Sequence, residues 1–514
     1  MYVMTRNFKL TALALMLSAV MSPGYAQSAK DFKEMRAEMK RMREELEALK
    51  AARAQDAKAI EQAKADAAKA QADKAEMMAK HKGDDGMKMH AKHTELVERI
   101  EQVELRAKDA VVLGDIGNSF RLPNSETSMR LYGFAELNLV HEFKGDNASC
   151  DYSTCLFYAP LQNSDLAHRS NGTYLHARST RLGFEMSTPS KYGSIGIKIE
   201  GDFNNDPRTG NAAVNGDYKN IYTQQATNSY NFRLRQAYGQ FGGLLIGQTW
   251  STFFDVDNAP ESVDFNGAIG STFIRQPMIR YAYPTKDHGT FTGAIENPVS
   301  YVYDNSGSGV PTKAGFSRVP DFVGRWDKSF PWGALSLRGV VHQLLIKDNA
   351  ANLSASTYGY GLGASGIFKA SGDDLINWAV TTGTGVGRYF NYVEGAVYDP
   401  VRNSILKERV SGLVLGYQHK FSPTLRFDSS LGYQYSSNND FTRYALDPAN
   451  KLDSAALGQY ALNRSVTQVH LGFIWNPVQN VDLGYEWIFG RRKTLNGERG
   501  DANRLNFSAK YNFN

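Results

Sequence analysis

The last residues, Asn503-Arg504-Leu505-Asn506-Phe507-Ser508-Ala509-Lys510-Tyr511-Asn512-Phe513-Asn514, alternate without a break between polar and apolar side chains. Successive side chains of an extended chain point to opposite faces, so this is a strand with one greasy face and one polar face. Working back, Val481, Leu483, Tyr485, Trp487 and Phe489 alternate with Asp482, Gly484 and Glu486, and Val469, Leu471, Phe473 and Trp475 with Gln468, His470 and Gly472. The same period of two recurs to about residue 129. Alternation by itself fits a soluble sandwich as well as a membrane barrel.

The links between strands separate the two. About sixteen candidate strands are joined alternately by tight turns and by longer polar links. The turns fall at Tyr192-Gly193, Phe241-Gly242-Gly243, Lys286 to Gly289, Pro331-Trp332-Gly333, Ser371 to Asp374, Ser422-Pro423 and Asn476-Pro477. A long-short rhythm with an even strand number matches an outer-membrane barrel, and a sandwich has no reason to keep it. The expected fold is an all-β transmembrane barrel of about 16 antiparallel strands over residues 129–514. Aromatics at 12 %, with 46 glycines and a small net charge of +5, suit short alternating strands with aromatic girdles and argue against a nucleic-acid binder.

The chain opens with Arg6 and Lys9, an apolar run from Leu10 to Val20, and small residues before Ala26. This is a signal peptide over residues 1–26, too short in its apolar core to span a bilayer as a helix. No later segment is a long uncharged apolar run, which leaves strands as the means of crossing. Residues 27–113 are rich in Ala, Lys, Glu, Arg and Met without proline, and Phe32, Met35, Met39, Met42, Leu46 and Leu49 keep an a/d spacing. An α-helical coiled coil that self-associates is expected there, broken near Gly83-Asp84-Asp85-Gly86, with 114–128 as a linker. His81, Met87, Met89, His90 and His93 cluster at that break, and a solvated helix break explains them without a metal. Cys150 and Cys155 lie in one polar stretch of an exported chain, where a small disulfide clasp is expected.

If the apolar rows face lipid, the opposite parity lines the lumen. Arg178, Arg181, Arg233, Arg235, Arg280, Arg325 and Arg338 then point inward, with a bulge near Ser179-Thr180 required for the first two to share a face. Each arginine left in lipid would cost roughly 2–4 kcal/mol at mid-membrane, which enforces this parity. The long link Ser251 to Arg275 carries Asp255, Asp257, Glu261 and Asp264. Folded inward as a constriction loop, it sets carboxylates against arginines, either across the channel as a transverse field or as pairs that pin loop to wall.

Arg178-Ser179-Thr180-Arg181-Leu182-Gly183-Phe184-Glu185, the run from Arg233 to Asp255, and Ile274 to Tyr281 resemble the DcaP-like family of outer-membrane porins. The resemblance covers about residue 118 to the end. It implies a trimeric porin with an N-terminal periplasmic coiled coil that takes up dicarboxylates and other small anions. It also implies Arg275 as a further basic lumen residue, beside Arg178, Arg181, Arg233, Arg235 and Arg280, with Asp255 and Asp264 on the inward loop. One departure is the final Asn514, where such barrels commonly end on an aromatic.

The expected partners are a homotrimer, outer-membrane lipid and lipopolysaccharide, small anionic solutes and, through the coiled coil, peptidoglycan. A phosphate- or general anion-selective porin and a barrel-anchored adhesin or wall tether are the rival readings. No Gly-x-Ser-x-Gly elbow occurs, and Gly307-Ser308-Gly309 has the wrong spacing, so no enzyme, catalytic residue, cofactor or metal site is expected.

Overall fold

The computed structural model describes residues 113–513 apart from 146–158, 205–231, 307–310, 351, 391–392, 453–456 and 458–460, together with residues 65, 69 and 97. The chain divides into two units, Met1–Ala110 and Val111–Asn514. The signal peptide, nearly all of the coiled coil, Cys150 and Cys155 lie outside the described residues.

The second unit is a closed barrel of sixteen antiparallel strands. They are β1 (Ser128–Lys144), β2 (Gly172–His176 continuing as Arg181–Thr188), β3 (Ile195–Asp202), β4 (Arg233–Phe241), β5 (Leu244–Trp250), β6 (Arg275–Thr285), β7 (Gly289–Glu296) and β8 (Asp321–Phe330). Then follow β9 (Gly333–Asp348), β10 (Leu353–Lys369), β11 (Leu375–Thr384), β12 (Arg409–Ser422), β13 (Leu425–Ser436), β14 (Asn463–Trp475), β15 (Val481–Thr494) and β16 (Arg499–Phe513). Each pairs with the next, and β16 returns to β1 with Phe513 opposite Gly133 and Ala509 opposite Leu137. Closure leaves no edge strand, as a sheet in lipid requires. Residues 114–128 fold back on the start of β1, where Phe120 pairs with Met129.

Parity is decided by exposure. On β3 the apolar Ile195, Ile197 and Ile199 are 44, 42 and 37 % exposed, whereas Glu200 and Asp202 are 4 and 2 % exposed. Exposed isoleucines beside buried carboxylates invert the pattern of a soluble sheet and match an apolar band facing hydrocarbon. Leu234, Ile246, Ile279, Tyr281, Phe291 and Leu337 continue that outer band. Among the described residues no helix is long and apolar enough to cross a membrane.

Two links expected to be long are only four residues each, 349–352 and 495–498, because their flanking strands continue past the expected ends. β9 and β10 have 16 and 17 residues, so at about 3.3 Å per residue they run roughly 50 Å, well beyond what a bilayer demands. By contrast β3, β4 and β5 have 8, 9 and 7 residues. One wall is therefore tall and another short. At 177–180 β2 breaks, with Thr180 N–H donating to Ala177 O at 3.1 Å. This irregularity is what brings both Arg178 and Arg181 to the inner side.

Buried apolar clusters sit inside the mouth at the end of the long links, where inward-folded segments meet the wall. One gathers Phe253, Val323, Val340, Val386, Tyr389 and Phe390.

Candidate functional site: the lumen and its inward loop

The inner face of β1 to β6 carries one cluster of cations. Across β1, β2 and β3, Arg130, Glu185 and Lys198 stand side by side in register. Glu185 accepts from Arg130 at 2.5 Å and from Lys198 at 2.8 Å. Nearer the long-link end, Arg233 forks onto Asp202 at 3.0 and 2.9 Å. Arg235 bridges Glu200 at 2.6 Å and Asp202 at 2.8 Å. It reaches both because the register slips between Glu200 and Gly201, so that Arg235 and Gln236 both turn toward Glu200. Arg181 adds a third guanidinium, 3.9 Å from Glu200.

Arg275 opens β6 and lies over the Trp250 ring, 3.5 Å from its centroid. Its Nε and Nη2 are enclosed and have no hydrogen-bond partner, and it makes no ion pair among the described residues. Among the described residues, four guanidiniums, those of Arg181, Arg233, Arg235 and Arg275, thus stand against two paired carboxylates, Glu200 and Asp202, with Glu136 in electrostatic reach of Arg181. Desolvated cations beside one another leave a positive potential that an incoming anion relieves.

The loop of residues 251–274 crosses the lumen. Its root is fixed by Glu296, which accepts from Ser251 Oγ and Thr252 N–H, each at 2.7 Å. Asp255 then meets Arg325 at 3.1 Å and Arg338 at 3.0 Å, with Ser365 and Asn258 also donating to it. Burial acts to raise the Asp255 pKa, but Arg325, Ser365 and Arg338 outweigh it and hold the carboxyl below its ordinary range. Glu261 receives a fork from Arg426 at 2.7 and 2.6 Å. At the tip, Val263 and Asp264 donate their N–H groups to Glu486 at 3.1 and 3.0 Å, and Ile269 N–H donates to Gln468 at 3.1 Å. Gly412 and Gly432 complete this seat, since a methyl at either would overlap the loop carbonyls of Gly270 and Ile269.

The loop therefore lies against β8 to β15 and leaves the passage on the basic side. Its Phe265 ring faces the cations, 4.7 Å from the Arg235 guanidinium, 5.1 Å from Arg181 and 5.9 Å from Arg275. A cavity of about 330 Å³ opens here, lined by Phe134, Glu136, Arg181, Trp250, Phe265 and Lys510 among others. Lys510 sits 4.8 Å from the Phe134 ring and has no carboxylate partner among the described residues.

The barrel architecture is matched by known proteins. The family model for the DcaP outer membrane protein matches residues 115–513. The chain belongs to the DcaP outer membrane protein family. As a family member its barrel is similar to the outer membrane channel DcaP of Acinetobacter baumannii, with a TM-score of 0.61 and 25 % identity, over 78 % of this chain and 100 % of that one. Weaker likenesses are to OmpT of Vibrio cholerae, TM-score 0.46 and 12 % identity over 76 % and 99 %, and to an anion-selective porin from Comamonas acidovorans, TM-score 0.42 and 13 % identity over 76 % and 100 %. No curated protein matches the chain. Family and fold point to an outer-membrane porin, a channel rather than an enzyme.

Within this DcaP-family barrel the arginines read from the sequence fall into two groups. Arg181, Arg233, Arg235 and Arg275 form the cluster that faces Phe265, whereas Arg325 and Arg338 hold Asp255. Arg178 is 3 % exposed, and Arg280 lies in the electrostatic reach of Arg325, Glu296 and Asp257. Of the loop acids, Asp255 and Glu261 pair with the wall behind the loop, Asp257 is exposed, and Asp264 is buried at the tip.

A second inward segment was not read from the sequence. The link 385–408 folds into the mouth, where Tyr389 OH donates to Asp321 at 2.6 Å and Tyr389 O accepts from Phe273 N–H of the first loop at 3.1 Å. Thr272 and Phe390 form an isolated bridge between the two segments. Val386, Tyr389, Phe390, Val393 and Val397 were its signal, since a solvated loop carries few such residues.

Proposed function

We propose that this porin passes small anions, dicarboxylates among them, and that Arg275 with Lys510 supplies the charge that selects them. The observation that carries the reading is the guanidinium of Arg275, which has no ion-pair partner among the described residues and sits in a cluster with more cations than paired carboxylates. An anion moving past Phe265 exchanges part of its hydration for guanidinium groups that need no rearrangement to receive it. Two carboxylates on one short solute engage separate cations along the same wall, which favours a dicarboxylate over a monovalent anion.

The assembly is a homotrimer that packs its short walls together. β3 to β5, at 7 to 9 residues and with a tilt of about 40°, cover only about 20 Å of a hydrocarbon layer about 30 Å thick. Burying that wall against neighbouring copies removes the mismatch. Residues 1–26 direct export, and residues 27–113 extend into the periplasm as a coiled coil.

Reversal potentials in planar bilayers under gradients of potassium chloride, phosphate and succinate test the selectivity. Anion preference is expected in all three, greatest for succinate. Cation preference would defeat the anionic reading while leaving the channel intact, and only monomer after crosslinking in native membranes would defeat the trimer.

A further inference from the structure

The link 385–408 ends at a small enclosed space where it rejoins the wall. Glu394 and Glu408 come from the link, and Gln434, Ser436, Asn463 and Arg464 come from the ends of β13 and β14. The space between them is about 10 Å³, room for one water-sized body and no organic ligand. Glu408, Gln434, Ser436 and Asn463 are 4, 4, 3 and 9 % exposed.

Its chemistry is that of a set of acceptors. Among the described residues Glu408 accepts Gly395 N–H at 3.0 Å, and the buried Ser436 hydroxyl beside it has no hydrogen bond. Gln434 Oε1, on a side chain almost wholly buried, accepts no hydrogen bond among the described residues. The one cation in the wall is Arg464, whose Nη1 is committed to Ser436 O at 2.7 Å. Two carboxyl groups thus share one guanidinium in this space. Burial, and for Glu394 the Glu408 charge beside it, raises both carboxyl pKa values, as two acids without a bound cation would show.

We infer that Glu394, Glu408 and Gln434, with the neighbouring oxygens of Ser436 and Asn463, form a calcium site that ties the inward-folded link to β13 and β14. Calcium takes six to eight oxygens from carboxylates, amides and hydroxyls with loose geometry. Magnesium keeps several of its own waters, for which a space this small has no room. Zinc and copper prefer imidazole and thiolate, which the site lacks. Among the described residues no three or more His, Cys, Asp and Glu side chains converge, so this site reaches its ligand number through neutral oxygens. The ion would hold the link down inside the mouth, where it abuts the first inward loop.

The full chain, refolded in detergent free of lipopolysaccharide to avoid that lipid's own cations, is titrated with calcium chloride and with magnesium chloride by calorimetry. It is also melted in calcium and in EDTA. The wild type is expected to bind calcium more tightly than magnesium and to melt higher in calcium. Glu394→Gln with Glu408→Gln should abolish the tight calcium and the shift in melting. Gln434→Met, which removes only a neutral oxygen, should weaken calcium binding severalfold while the barrel still folds. Calcium binding equal in wild type and double variant would overturn the inference, as would equal affinity for magnesium. A double variant melting higher than wild type in calcium would mean that the carboxylates share a proton instead.

Discussion

Replacing Arg275 with glutamine removes one full charge while keeping a planar group over the Trp250 ring, which the guanidinium now covers at 3.5 Å. The Phe265 ring of the inward loop lies beside it, 5.9 Å from that guanidinium. A passing anion comes within about 5 Å of the charge, where two unit charges in water interact by about 0.8 kcal/mol. Loss of that attraction lowers the local concentration of a monovalent anion about fourfold, and doubling the charge for a dianion makes it roughly 16-fold. Reversal potentials should be measured at about 0.1 M salt, where the screening length is about 10 Å, and again at about 1 M, where it is about 3 Å. The expected result is a chloride-to-potassium permeability ratio that falls severalfold at low salt and little at high salt, with a larger fall for succinate. A ratio unchanged at low salt, or an equal loss for chloride and succinate, would refute the role given to Arg275.

Glu486→Ala leaves the N–H groups of Val263 and Asp264 without their acceptor, at about 1.5–3 kcal/mol for each bond to a charged group; open-channel current noise should rise, because the loop tip loses its latch. Gly412→Val pushes a side chain into the Gly270 carbonyl, an overpacking that costs about 1–3 kcal/mol, and single-channel conductance should fall as the loop is driven toward the basic wall. The Asp255 anchor has a pH window set by its depressed pKa: its contribution is complete well above the unfolded value of about 3.9 and is lost as pH falls below it through the folded value. Wild-type current should therefore stay quiet at pH 5 and above and grow noisy in stronger acid, while Asp255→Asn should be noisy at both. On the outer face, Ile279→Arg should cut folding yield into lipid bilayers by a cost of roughly 2–4 kcal/mol if the side chain lies near the midplane, whereas a normal yield would place that face elsewhere.

The barrel was legible because its rule is local. A period of two, kept in segment after segment, says which side chains share a face, and arginine in one row and isoleucine in the other says which face meets lipid. The row that carries most of the arginines followed from the same rule, since parity is all that a shared face needs. Which of them are left for a solute did not follow. Arg233 and Arg235 are engaged by carboxylates on the neighbouring strand, whereas Arg275 has none among the described residues, and strand register with its slip at Glu200 decides this. The two short links also escaped, because strand ends beyond the membrane have no lipid to enforce alternation.

By itself the amino-acid order determined the strand rows, their inner and outer faces and the presence of a long acidic loop, all properties carried by neighbours in the chain. Only the tertiary structure decided where that loop lies. Its tip is held by Glu486, 223 residues from Val263, and its bed is made by glycines on β12 and β13 that have no side chain to announce them. The second inward link and its carboxylate pair were decided in the same way. Such contacts arise when closure of the barrel brings distant strands around one small volume, and no pattern along the chain encodes that meeting.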